Sequence, residues 1–106
     1  MKLPEKIEVL NRTYKVTLKD MSEGNHIGKG HFSNGEISID SNMDSQVQAD
    51  TLLHEVIHLT LIAMGHEIGD ENGLHTEKNV LVISNGLAAV IRDNPALMPA
   101  IQKGLK

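Results

Sequence analysis

From Ser41 to Met64 the chain runs without a single Gly or Pro, and this one uninterrupted segment decides most of what the protein can become. It predicts a helix of about twenty residues, about 30 Å long, with several N-cap candidates between Ser41 and Asp44 and with Gly65 placed to close it. On a helical wheel its second half is apolar nearly all round, through Leu52, Leu53, Val56, Ile57, Leu59, Ala63 and Met64. One sector alone is ionisable, carrying His54, Glu55 and His58. Such a helix is expected to be buried. Its three ionisable groups must then meet a polar partner or lose several kcal/mol to desolvation. A metal ion with bound water is one such partner; a hydrogen-bonded His/Glu cluster inside the core is the other.

The flanking sequence supplies the rest of a small α+β fold. Ile7 and Val9, then Tyr14, Val16 and Leu18, alternate with polar residues on either side of Asn11-Arg12, which predicts a β-hairpin. Asp20 to Asn25 reads as a polar turn. Ile27 to Phe32 forms a glycine-interrupted strand, and Asn34-Gly35 offers a two-residue turn into Glu36 to Asp40, with Ile37 and Ile39 on one face: a second hairpin. Beyond the long helix, residues 65 to 75 hold three glycines and predict a loop. A second helix is expected from near Thr76 to about Asp93, stopped by Asn94-Pro95, and the last dozen residues form a short helix or tail. The expected class is therefore α+β, with N-terminal antiparallel hairpins followed by two packed helices.

With 106 residues the chain is a single domain, 1–106. It has no Cys, which excludes a disulfide framework, a thiolate zinc site and a thiol nucleophile. Fourteen acidic against ten basic residues, and only two aromatic rings, argue against a nucleic-acid partner. The first twenty residues lack the apolar stretch of a secretory signal, and no segment approaches the roughly 20 apolar residues of a membrane span, so a soluble cytoplasmic protein is expected. The net charge of −4 is unevenly spread. Residues 30 to 77 contain no Lys or Arg, nine carboxylates and five of the six histidines. That composition suits a cation, or else an acidic solvated face.

The ionisable sector is the sequence His54-Glu55-Val56-Ile57-His58, an H-E-x-x-H pattern. Two imidazoles one helical turn apart can reach a common zinc ion, while Glu55, about 100° round the helix, can hold a metal-bound water without being a ligand. A catalytic zinc takes a third protein ligand and leaves the fourth position to water. The downstream candidates are Glu67, Asp70, Glu71, His75 and Glu77. Glu77 begins the second helix and shares a stripe with Leu81, Ser84 and Ala88, so packing that stripe on the first helix would carry it toward the His pair. A first-turn Glu also favours the helix dipole without any metal, and His75, Glu71 and Asp70 remain as alternative ligands.

Over residues 27 to 93 the chain resembles the gluzincin zinc metallopeptidases, in which two His of one helix and a Glu of the next bind zinc. It looks like the compact H-E-x-x-H proteins of phages and prophages and the minimal single-domain members of that group. The match is specific at His54, Glu55 and His58 and looser at Glu77. It departs from the metzincin pattern, with Leu61 and Met64 where that pattern has Gly and His. The resemblance implies a zincin-like domain that hydrolyses a peptide or protein substrate, with zinc on His54, His58 and Glu77 and with Glu55 as general base. It also implies that the strand before the active-site helix, Glu36 to Asp40 with Gly35, forms the rim of the cleft. His75, Tyr14, His31 and His66 are the available oxyanion donors, and the tail from Asn94 is a segment able to cover the cleft. Two other classes of function remain: a non-catalytic phage or prophage accessory protein with a structural zinc, and a metal-free interaction module.

Overall fold

The computed structural model describes residues 2–24, 27–31, 34–69 and 73–105, with His31 described by its backbone alone. Four strands, β1 (Lys6–Val9), β2 (Arg12–Lys19), β3 (Gly28–His31) and β4 (Glu36–Asp40), precede three helices, α1 (Ser45–Ala63), α2 (Glu77–Asp93) and α3 (Leu97–Gly104). The α+β class is as expected.

Both hairpins form, each with a shifted turn. β1 and β2 pair antiparallel with Val9 opposite Arg12, so the two turn residues are Leu10 and Asn11, and Arg12 already belongs to β2. Leu10 and Asn11 both take positive φ, 47° and 71°, the conformation that matches the twist of a two-residue hairpin. In the second hairpin His31 pairs with Glu36, so the connection spans residues 32 to 35 rather than Asn34-Gly35 alone. Phe32 and Ser33 lie outside the described residues. The hairpins join through a parallel pairing of β2 with β4, giving a mixed sheet of order β1-β2-β4-β3. Alternation within each hairpin carries no information about which strand of one meets which strand of the other, so this seam is not predictable from the pattern.

α1 lies across the sheet. Asp44 caps it by accepting a hydrogen bond from the Val47 N–H at 2.9 Å, and Gly65, at φ 90°, follows its last turn. Leu52, Val56 and Leu59 pack on Ile37, Ile39, Tyr14 and Val9 to form the core. The full burial expected of α1 is not realised, because the sheet covers one sector and α2 a second. Only Thr51 and Leu59 are fully buried, and Met64 is 62% exposed. Among the described residues no helix is long and apolar enough to cross a membrane.

Candidate metal centre

α1 turns its ionisable sector toward the start of α2. Thr76 caps α2 by accepting a hydrogen bond from the Asn79 N–H at 3.0 Å, and the Asn79 side chain donates to the Leu74 carbonyl at 2.8 Å. These bonds fix the first turn, and with it Glu77. His54 Nε2 stands 2.7 Å from Glu77 Oε1 and 3.1 Å from His58 Nε2, and His58 Nε2 stands 3.3 Å from the same Oε1. Ligands at about 2.0–2.1 Å from a tetrahedral zinc lie roughly 3.3–3.4 Å from one another. The observed triangle resembles one face of such a tetrahedron, shortened by about 0.6 Å on its His54–Glu77 edge.

Hydrogen bonds behind the imidazoles decide which nitrogens face the centre. His75 Nδ1 lies 2.7 Å from the His66 carbonyl, which only accepts, so Nδ1 carries the proton and Nε2 of neutral His75 accepts. That Nε2 is 2.7 Å from His58 Nδ1, which therefore donates, leaving the lone pair of His58 on Nε2. His54 Nδ1 lies 3.3 Å from Ser84 Oγ, whose hydroxyl donates to the Leu81 carbonyl at 3.2 Å. His54 then also turns an Nε2 lone pair to the centre. Two imidazole lone pairs and a carboxylate thus converge, and a proton or a metal cation must sit among them. In the metal-free protein burial opposes ionisation of Glu77. Hydrogen bonds with His54 and His58, and the positive charge of the proton held among the three groups, outweigh it and hold this carboxyl below the ordinary Glu value.

The other expected residues fall into distinct places. Glu55 is no part of the triangle; its Oε1 accepts a hydrogen bond from the Gly30 N–H of β3 at 2.8 Å. The contact depends on two glycines. A Cβ at Gly28 would overlap Thr51 Cγ2, and one at Gly30 would stand 3.3 Å from Leu59 Cγ and 3.4 Å from Glu55 Oε1. His75, only 1% exposed, sits behind His58 and orients it instead of joining the triangle. Asp70 and Glu71 lie outside the described residues, and Glu67 is exposed in the loop after α1. Of the possible oxyanion donors, Tyr14 is buried in the sheet core, the side chain of His31 lies outside the described residues, and the exposed His66 contributes its carbonyl.

A cleft of 790 Å³ runs over the triangle, bounded by β3, α1 and α2, with Glu55 in its wall beside His54 and His58. Val47, Ile62, Ile68 and Leu81 give it apolar sides. Two expectations are corrected here. The rim is β3, because β4 is interior with neighbours on both edges, so Glu36 to Asp40 has no free edge to offer. The C-terminal segment does not cover the site, since the cleft takes no lining from residues 94 to 105.

No protein-family model, curated protein or solved structure matches the chain. The functional reading therefore rests on the site itself. Two of its members were not singled out for these parts by sequence: Ser84, which holds His54, and the Gly30 N–H, which holds Glu55. The signal for Ser84 was its place two turns after Glu77 on the same stripe of α2; a backbone donor has no sequence signal.

Proposed function

We propose that this protein is a zinc-dependent peptidase of minimal, zincin-like architecture, with His54, His58 and Glu77 as ligands and Glu55 as general base. The observation that carries the reading is the convergence of three lone-pair donors on one point in the wall of an open cleft, with a non-ligand carboxylate on the adjoining residue. Two imidazoles and one carboxylate suit a borderline cation such as zinc better than calcium or magnesium, which favour all-oxygen sites. The Glu77 side chain is 65% exposed, so the centre is open on that side as a catalytic site requires, whereas structural zinc sites are closed.

Zinc bound here would lower the pKa of its water toward about 7 and polarise the scissile carbonyl. With the metal bound, Glu55 would take a proton from the attacking water and pass it to the leaving amine. The Gly30 N–H steadies the carboxylate through one oxygen while the other works. Ser84 and His75 hold both imidazoles in the tautomer that binds metal. β3, with its outer edge on the cleft, offers backbone groups to an extended peptide.

Metal analysis of the purified protein, with and without a chelator, tests this reading beside peptide cleavage by wild type and Glu55→Gln. The amide keeps an oxygen for the Gly30 N–H, so the variant should fold and bind zinc yet lose cleavage by about 100-fold or more. A wild-type protein without affinity for metal refutes the proposal. Bound zinc with equal or no cleavage in both proteins leaves the metal a structural role.

A further inference from the structure

A second feature has no part in the metal chemistry. From Asn79 to Ile91 the sequence holds no charged residue, yet this segment is most of α2 and much of it is exposed. Val80 and Ser84 are buried against α1, while Leu81 and Asn85 face the cleft. Ile83, Gly86, Leu87 and Val90, spaced three, one and three, form another stripe with no share in the cleft. Ile83 is 38% exposed, Leu87 44% and Val90 46%. A solvated helix face normally carries Lys, Glu or Arg, and this one carries none.

We infer that this stripe is a self-association surface, on which α2 packs against α2 of a second copy across a two-fold axis. Three observations favour a second copy as the occupant. Near a two-fold axis every group meets its own image, so a charged residue would face an identical charge; an uncharged stripe is free of that repulsion. The centre of the stripe is Gly86, a poor helix former, and a Cβ there would meet nothing within 4 Å. Nothing within the protomer calls for glycine at this position, whereas the crossing point of two helices gains from the close approach it permits. The third observation is area. α2 exposes Val82, Ile83, Leu87 and Val90 around Gly86. These side chains present on the order of 300 Å² of apolar surface, which suits the small interface of a weak, concentration-dependent dimer. The cleft stays open on the other flank of α2.

Sedimentation velocity over a hundredfold concentration range, run in zinc and again in chelator, tests the surface independently of the metal. Wild type should sediment as a dimer at high-micromolar concentration in both buffers. Leu87→Glu and Gly86→Leu should each raise the dimer dissociation constant at least tenfold. Val90→Lys, at the end of the stripe, serves the same test should Leu87→Glu fail to fold, as circular dichroism will show. A wild-type protein that stays monomeric throughout overturns the inference. So does a dimer unaffected by these folded variants, whose surface must then lie elsewhere.

Discussion

The sharpest test of the metal centre compares Glu77→Ala with His75→Ala, because both residues stand next to an imidazole and only one of them faces the triangle. Glu77 brings its carboxylate within 2.7 Å of His54 Nε2 and 3.1 Å of His58 Nε2, a ligand position. Zinc sites of four protein ligands bind with roughly 10–16 kcal/mol, about 2.5–4 kcal/mol for each ligand, so losing Glu77 should weaken zinc binding by about 70-fold or more. His75 touches His58 on the far side of the ring, at Nδ1. Removing such an outer partner typically costs 10- to 100-fold in metal affinity. It should also cost roughly 1–3 kcal/mol of stability, since the half-buried His58 N–H loses its partner, while the carbonyl of the exposed His66 can turn to water. Glu77→Ala removes a side chain that is 65% exposed, and its metal-free form should lose only about 0.5–1 kcal/mol, the worth of a largely exposed ion pair with His54 and His58. The two variants should therefore reverse order between assays. Glu77→Ala is the worse zinc binder in competition with a chromophoric chelator, and His75→Ala is the less stable apo-protein in urea. If His75→Ala instead abolishes zinc binding while Glu77→Ala barely changes it, the ligand assignment is wrong and His75 belongs in the centre.

Zinc should raise the thermal midpoint: at a free concentration 100 times its dissociation constant the expected stabilisation is about 2.7 kcal/mol, reversed by chelator, and calorimetry showing no shift would count against a preformed site. Gly28→Ala should destabilise the fold by about 1–3 kcal/mol or more, because Thr51 cannot rotate away without breaking the 2.6 Å bond its hydroxyl donates to the Val47 carbonyl. Equal urea midpoints for Gly28→Ala and wild type would show that β3 and α1 are less closely apposed. Asp44→Ala removes the N-cap of α1 and should cost about 1 kcal/mol by the same measurement, while Asp44→Asn should cost little.

The helices are legible in the sequence because their ends are written in local chemistry. Asp44 and Thr76 cap α1 and α2, Gly65 and Asn94 follow them, and the interval between supplies no breaker. His54, His58 and Glu77 are legible for a related reason: the first two are one turn apart, and the third sits where a cap fixes a helix start. Less local features are not. The parallel contact of β2 with β4 joins segments whose alternation is satisfied equally well by other orders, and the interior place of β4 follows from that contact alone. Gly28 and Gly30 read as defects in a strand; their purpose appears only once α1 lies against them and Glu55 reaches a backbone N–H. His75 looks like a ligand in sequence because its ring type is right. Only the direction of its two nitrogens, one toward a carbonyl and one toward His58, makes it a support.

The sheet order also dictates how the chain must assemble. Every pairing within the hairpins is local, from Lys6 with Lys15 to Gly28 with Ile39. Only the β2–β4 seam, Lys15 with Glu36 through Lys19 with Asp40, has to close a longer loop. Hairpins form in about 1–10 μs and helices faster, whereas non-local pairing waits on loop closure. Val16, Leu18, Ile37 and Ile39 line that seam, so trimming them should slow folding, while changes at the Leu10-Asn11 turn act mainly on one hairpin. The late step is then the meeting of two preformed ribbons under α1, and until it occurs Ile37 and Ile39, the most deeply buried apolar residues of the finished sheet, remain open to other chains.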